Sequence, residues 1–260
     1  MEKAAEIFFE HFNILPGRSA ADIHRTGEVF SQIPWENLTK YLLHSSGEDR
    51  PRLADEVISG YVNNGTGGTC YSLTETLGAI MKACGLYARP LTGHINGRMN
   101  THCALLVEGE AGRFILDPGY IVPGAVKLSG AGAGEIITAG RKMCWTPVKG
   151  GWELSTEENG RKLKRYHLES RQLSRDEFVR YWKNSFNSPG MNSLYLNRTG
   201  SSGGRISAHN GNLRIVDGMG NRNRKIRGDY PQEISEAFGV SADVARAAWE
   251  QLQHKKQGNS

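Results

Sequence analysis

The chain has 260 residues, 38% hydrophobic and 23% charged, with a formal net charge of +5, a composition that excludes a disordered chain. Its longest strictly apolar run, about five residues at Cys103–Val107, excludes a membrane-spanning helix, which needs about 18. The opening Met1-Glu2-Lys3-Ala4-Ala5-Glu6 is acidic and lacks an apolar stretch of signal-peptide length, so the expected compartment is the cytoplasm.

Residues 1 to about 85 read as helical. Ala4 to Phe12 places Ile7, Phe8 and Phe12 at helical spacing, and Ser19 is the cap of a second helix reaching about Phe30. Ile33-Pro34-Trp35-Glu36-Asn37-Leu38 reads as the start of a third, continuing through Tyr41 and Leu42, and Leu53 to Asn63 repeats the pattern. After the break at Gly65-Thr66-Gly67-Gly68, Cys70 to Cys84 forms a strong helix, with Leu73, Leu77, Ile80, Met81 and Cys84 on one face and Gly85 as its stop.

From residue 86 to about 195 the pattern turns to strands. Ala88–His94, His102–Glu108 and Arg113–Asp117 are short runs, the last two joined at Gly109-Glu110-Ala111-Gly112. Ser129 to Gly134 is rich in glycine and alanine and reads as a mobile loop. Strands resume at Glu135–Thr138, Met143–Val148, Gly151–Ser155 and Leu163–Leu168, a spacing that points to a small antiparallel barrel or folded sheet. Ser174 then caps a helix to Lys183. Residues 196–260 carry one hairpin, Arg205–Ala208 and Leu213–Val216 about Asn210-Gly211-Asn212, and two helices, Pro231–Phe238 and Ala242–Gln253.

Cys70 carries the chemistry. It stands where a glycine-rich turn becomes a helix. His102 follows thirty-two residues on and Asp117 fifteen beyond that, each on an apolar strand. This is the raw material of a Cys-His-Asp triad: a thiolate nucleophile favoured by a helix N-terminus and an imidazolium, with a carboxylate fixing the imidazole. Taken singly, Gly67-Gly68 is a tight turn, His102 a core histidine and Asp117 before Pro-Gly a turn former. Their order, spacing and placement carry the joint reading. Cys84, Cys103 and Cys144 read as buried small hydrophobes. No CxxC pair or zinc-type spacing occurs, so no metal is expected.

Two other features are set aside. The runs Arg161-Lys162-Leu163-Lys164-Arg165 and Arg222-Asn223-Arg224-Lys225-Ile226-Arg227 lack the interleaved aromatics of a single-strand binding surface. Gln232 to Val244 mimics a helix-turn-helix, but its second helix offers bases only Arg246 beside Asp243, so no nucleic-acid partner is expected.

With these residues in hand, the chain resembles the arylamine N-acetyltransferase family. Gly67-Gly68-Thr69-Cys70 is similar to the family's Arg-Gly-Gly-x-Cys-x-Glu motif. Thr101-His102-Cys103-Ala104-Leu105-Leu106-Val107 resembles its histidine strand, and Leu116-Asp117-Pro118-Gly119-Tyr120 stands where its Asp-Val-Gly-Phe-Gly lies. Pro34-Trp35-Glu36-Asn37-Leu38 is similar to its Pro-Phe-Glu-Asn-Leu, and the late hairpin with Ala237-Phe238-Gly239-Val240 suits its third domain. The resemblance implies an α+β fold: an N-terminal helical bundle over 1–85 carrying the nucleophile, a central antiparallel β-barrel over 86–195 carrying His102 and Asp117, and a C-terminal α/β lid over 196–260, with a transglutaminase-like Cys-His-Asp arrangement. It also implies transfer of an acyl group, acetyl in the simplest case, from acyl-coenzyme A through a Cys70 thioester to a small-molecule arylamine-like acceptor. Backbone N–H groups, that of Cys70 included, would stabilise the oxyanion. Tyr71 would either border the acyl pocket or pack in the bundle.

The chain departs from the family pattern at Thr66 for the motif arginine, Ser72 for the glutamate, Thr74 for a common asparagine, and Pro118-Gly119-Tyr120-Ile121 for Val-Gly-Phe-Gly. The last change removes a glycine expected near the carrier phosphates, and the late basic run Arg222–Arg227 is the candidate to meet those phosphates across the cleft. An amide synthase forming amides or macrolactams from a carrier-bound acyl thioester, a transglutaminase-like cysteine hydrolase and a non-catalytic binding protein are the alternatives.

Overall fold

The computed structural model describes residues 2–138, 141–158, 160–200 and 204–258. Its first part contains α1 (Lys3–Phe12), α2 (Ala20–Phe30), a two-residue strand β1 (Trp35–Glu36), α3 (Leu38–Ser45), α4 (Ala54–Asn64) and α5 (Cys70–Ala83). The helices follow local chemistry. Ser19 and Asp22 form a capping box at the start of α2. Past the end of α5, Gly85 takes the left-handed φ of +76° that a chain reversal needs. Leu73, Leu77, Ile80 and Met81 of α5 are buried against α1, α2 and α4.

β2 (Tyr87–Ile95), β3 (Arg98–Gly109), β4 (Gly112–Leu116), β5 (Val126–Lys127), β6 (Gly134–Thr138), β7 (Arg141–Val148), β8 (Gly151–Glu158) and β9 (Arg161–Glu169) follow. The described strands form an antiparallel sheet in the order β5-β4-β3-β2-β9-β8-β7-β6. It curls until its two ends nearly meet: a Cβ on Gly134 of β6 would come within 2.8 Å of Val126 Cγ1 on β5. The result is an almost closed barrel. Side chains alternate along β3, as any strand requires. Ala104 and Leu106 fill the barrel with Met143, Trp145 and Leu154, while Leu105 and Val107 pack on the helices with Phe114 and Leu116. Both faces of this stretch are buried, which is why Cys103–Val107 is uniformly apolar.

The chain continues through α6 (Arg175–Asn184), β10 (Tyr195–Thr199), β11 (Arg205–His209), β12 (Asn212–Asp217), β13 (Gly220–Lys225), α7 (Tyr230–Phe238) and α8 (Ala242–Gly258). Ser174 caps α6 through a second capping box with Glu177. The second sheet runs β1-β10-β11-β12-β13. Its core joins Leu38 and Tyr41 of α3 to Leu196, Ala208, Ile234, Phe238, Ala245 and Leu252. α7 and α8 thus spend their apolar faces on this core. Among the described residues, no helix is long and apolar enough to cross a membrane.

Three expectations need correction. Trp35–Glu36 is strand rather than helix: Glu36 N–H donates to Gly68 O at 3.0 Å and Trp35 pairs with Asn197, so long-range partners override the local helical pattern. The late hairpin is the centre of a larger sheet; β13 is exposed along its whole length and has no apolar alternation to reveal it. The segment Ser129–Gly134 is pinned rather than loose, since Ser129 N–H donates to Ala133 O at 2.7 Å and Trp152 Nε1 donates to Gly132 O at 2.9 Å.

Candidate active site

Cys70 is the first residue of α5, and its neighbours are held by backbone. Glu36 N–H donates to Gly68 O at 3.0 Å, and Gly68 N–H donates to Pro34 O at 3.3 Å. A side chain at Gly67 would collide with the Pro34 carbonyl, so glycine is required for this close approach. Beneath the turn lies Arg52, only 9% exposed. Its Nη1 donates to Gly67 O and to Thr39 Oγ1, each at 2.7 Å, and lies 3.9 Å from Glu36 Oε1. Glu36 is fully buried and accepts from Thr39 N–H at 2.9 Å and Thr39 Oγ1 at 2.7 Å. No arginine stands at position 66; the guanidinium supporting the turn comes from the loop before α4 instead. Sequence reading missed Arg52, although Thr66 was a signal that such a group had to come from elsewhere.

His102 on β3 and Asp117, one residue past β4, are neighbours because these strands pair with Leu105 opposite Leu116. His102 Nε2 lies 2.8 Å from Asp117 Oδ2. An ionised carboxylate only accepts, so Nε2 carries the proton and Nδ1 remains for Cys70. Asp117 Oδ1 accepts from Tyr120 N–H at 2.8 Å, closing a single 3-10 turn at Pro118–Tyr120. Tyr166 of β9 donates its hydroxyl to Asp117 Oδ2, and its ring centroid lies 4.6 Å from that of His102. Tyr166 too escaped sequence reading; nothing local distinguishes it from a barrel-core tyrosine.

Two glycines allow the three groups to converge. A Cβ at Gly93, opposite His102 on β2, would fall 3.0 Å from His102 Cβ. At Gly119 it would fall 2.5 Å from Cys70 Cβ and 3.0 Å from His102 Cε1. Gly119 therefore packs against both Cys70 and His102 where no larger residue would fit. Two residues on, Ile121 adopts φ +55° and ψ +50°. That conformation suits glycine and strains a β-branched side chain.

The electrostatics agree with a charged pair. Cys70 is held well below the ordinary thiol range, first by a hydrogen bond with the Cys103 thiol, and against the opposing effect of burial, then by the hydrogen bond and charge of His102 and the charge of Lys40. Burial disfavours the His102 imidazolium, but Asp117 and Cys70 outweigh it and raise the group to about 10. Burial and the neighbouring Cys70 push Cys103 the other way, well above the usual thiol range. Cys103 is thus more than a core filler: its sulfur lies 3.4 Å from Thr74 Oγ1, and Thr74 Oγ1 donates to its carbonyl at 3.3 Å. Cys84 is buried as expected, whereas Cys144 is partly exposed, and all four cysteines are free.

Cys70 opens on a cavity of about 680 Å³ whose wall includes Trp35, Lys40, Tyr71, Arg98 and Tyr181. Tyr71 is both cavity-facing and packed against α6. It lines the cavity, and it packs against Phe178 and Trp182 while donating to Asn100 O at 2.6 Å. The late basic run is elsewhere. Its residues Arg222–Lys225 lie on β13, the strand of its sheet farthest from Trp35, with Arg222 paired to Asp217 and Arg224 to Glu233. Among the described residues, no cluster of three or more His, Cys, Asp or Glu is placed to hold a metal ion.

Comparison with known proteins gives a consistent picture. A family model described as N-acetyltransferase matches residues 26–245. Among solved structures, the arylamine N-acetyltransferase from Mycobacterium marinum in complex with CoA superposes with a TM-score of 0.82 at 16% identity, covering 95% of this chain and 98% of that one. The enzyme from Salmonella typhimurium gives a TM-score of 0.78 at 16% identity over the same shares of the two chains. The NAT3 arylamine N-acetyltransferase from Bacillus cereus, described as having a unique Cys-His-Glu catalytic triad, gives 0.72 at 15% identity, covering 93% and 100%. No curated protein sequence matches the chain.

Proposed function

The chain belongs to the arylamine N-acetyltransferase family, and on that premise we propose that it moves an acyl group, acetyl in the simplest case, from coenzyme A to an arylamine-like acceptor through a thioester on Cys70. Family membership favours acyl transfer over amide synthesis and hydrolysis. What carries the assignment of roles is Cys70 at the head of α5, with the buried His102–Asp117 pair beside it and the cavity in front.

In the first half-reaction the Cys70 thiolate attacks the thioester carbonyl. The carbon–sulfur bond to the carrier breaks, and the departing carrier thiolate takes the proton from the His102 imidazolium. In the second, the amine attacks the acyl-cysteine carbonyl. His102, now neutral at Nδ1, accepts the amine's proton, and Cys70 leaves as thiolate. Asp117 keeps the imidazole in the tautomer with hydrogen on Nε2 throughout. Backbone N–H groups at the start of α5 are the natural donors to the oxyanion, because the first turn of a helix leaves them unpaired.

The division of the chain at about residues 85 and 195 belongs to the same reading, supported by the change from α5 to β2 and by the new sheet that β10 joins. A cytoplasmic, reducing compartment suits an enzyme that needs Cys70 as a free thiol.

Incubation with acetyl-CoA in the absence of acceptor tests the proposal. One acetyl mass on the peptide containing Cys70, discharged when an arylamine is added, is the expected result. Acetyl mass on Cys84, Cys103 or Cys144 instead, or none at all, overturns it. Comparing acetyl-CoA with acetyl-N-acetylcysteamine, which lacks every phosphate, then measures what the nucleotide contributes; equal rates would remove the case for a coenzyme A site.

A further inference from the structure

α3 places Lys40 in the wall of the cavity on which Cys70 opens. Lysine is seldom buried unless paired, because its ammonium loses strong hydration. Lys40 is only 7% exposed. It donates one hydrogen to Ser185 Oγ at 2.7 Å, and its ammonium stands 4.7 Å from the centroid of Phe186. Ser185 has given its own hydrogen to the Trp182 carbonyl, so it acts toward Lys40 only as an acceptor. An ammonium has three donors. Among the described residues no carboxylate is paired with it, and the anionic groups acting on it from nearby are Cys70 and Asp49. Asp49 is itself engaged by His44 at 2.8 Å. Burial lowers the Lys40 ammonium to about 8, with Cys70 and Asp49 opposing, which leaves it mostly protonated at neutral pH.

The rest of the wall is mostly neutral, and its further charge is positive. Arg98 also lines the cavity, and among the described residues no aspartate or glutamate does. In the resting protein the Cys70 thiolate is an available counter-ion for Lys40. Acylation removes it, since the sulfur of a thioester carries no charge. The ammonium then keeps the Ser185 hydroxyl, the Phe186 ring face and the more distant charge of Asp49, which His44 already engages, at the stage when the acceptor must enter. A buried cation left in that state is costly unless another anion takes the vacated role.

We propose that Lys40 is a specificity residue that selects a carboxylate-bearing substrate, the carboxylate belonging either to the acyl group or to the amine acceptor. This rests on acyl transfer through Cys70. The donor and acceptor origins of the carboxylate are separable, because each enters in a different half-reaction.

The test uses matched pairs. Succinyl-CoA and butyryl-CoA have acyl chains of equal length and differ in the terminal carboxylate; their rates of acyl loading on Cys70 are followed by mass without acceptor. 4-Aminobenzoate and 4-aminobenzamide differ in the same sense as acceptors and are compared with acetyl-CoA as donor. In one arm the intact protein should prefer the anionic member by about tenfold or more in kcat/KM, the scale of one charge-assisted hydrogen bond. Lys40→Met should bring that ratio close to one, and Lys40→Arg should retain most of it. A preference in the succinyl arm assigns the carboxylate to the acyl group; one in the benzoate arm assigns it to the acceptor. Ratios near one for both pairs in the intact protein overturn the proposal, and this comparison needs no variant to fold. An equal slowing of both members of each pair in Lys40→Met also overturns it, since Lys40 would then serve the thiolate or the carrier. Failure of every thioester to acylate Cys70 would instead reject the acyl-transfer reading itself.

Discussion

Tyr166 donates its phenolic hydrogen to Asp117 Oδ2, the same oxygen that takes the hydrogen bond from His102 Nε2. Together with the Tyr120 amide on Oδ1, this gives the fully buried carboxylate three donors. Its position is therefore set by the barrel wall as much as by its own turn. Asp117→Asn should preserve the fold and reduce acyl transfer by roughly 10⁴, the scale of the same change in a serine triad, because an amide permits the wrong imidazole tautomer. Tyr166→Phe should cost about tenfold, the value of one hydrogen bond to a charged group. Single-turnover acylation of Cys70, with circular dichroism as the control for folding, measures both. Turnover of Asp117→Asn within a factor of two of the parent would reject a catalytic role for Asp117.

The Cys70–His102 pair predicts an unusual pH profile. His102 is raised on folding, so its contribution is complete below its unfolded value of about 6.5 and is lost as pH climbs through about 10. Cys70 is lowered, so its contribution is present above its unfolded value of about 8.5 and is lost as pH falls through its folded value. Between about pH 6.5 and about 8.5 the folded and unfolded pairs hold the same number of protons. Their contribution to stability should be flat there and decline on both sides. Denaturant midpoints of the parent and Cys70→Ser across pH isolate it; a steady slope through the neutral window would exclude a thiolate–imidazolium pair.

Cys103 should tune that thiolate. Cys103→Ala removes the hydrogen bond that most lowers Cys70, and Cys103→Ser retains a donor. The iodoacetamide profile of Cys70 should shift upward by about one pH unit in the alanine variant, as loss of a hydrogen bond worth about 1.4 kcal/mol would produce, and less in the serine variant. Identical profiles in all three proteins would leave Cys103 as packing alone.

Gly119→Ala should separate thiol from imidazole. Its Cβ would stand 2.5 Å from Cys70 Cβ and 3.0 Å from His102 Cε1, so one of the two must move. A displacement of about 1 Å at reacting groups costs about a hundredfold in rate. Acylation should fall by that factor while the melting temperature changes little, and normal acylation would show that the site has slack where the structure has none.

Arg52→Met should act mainly on stability. It removes the guanidinium from the Gly67 carbonyl and leaves the fully buried Glu36 without its cation. Breaking one side of a buried pair costs about 3–5 kcal/mol. Urea denaturation should show a loss on that scale. A loss below about 1 kcal/mol, the ordinary worth of an exposed pair, would mean that Arg52 is not the support of the nucleophile turn.

Sequence alone determined whatever depends on short stretches of chain. Capping at Ser19 and Ser174, the apolar stripe of α5, the glycine turn before Cys70 and the continuous apolar run of β3 are local, and they sufficed to place Cys70 at a helix start and His102 and Asp117 on neighbouring strands. Tertiary structure decided what depends on partners far along the chain. Trp35–Glu36 became a strand because Gly68 and Asn197 were there to bond it. Arg52 reached the Gly67 carbonyl across fifteen positions, and Tyr166 reached Asp117 across forty-nine. Lys40 and Ser185 meet over an even longer separation. Hydrogen bonds and burial between distant segments have no periodicity to betray them. Cys70, His102 and Asp117 could be singled out as candidates in the sequence, while the residues that support and surround them emerged only once the chain was folded.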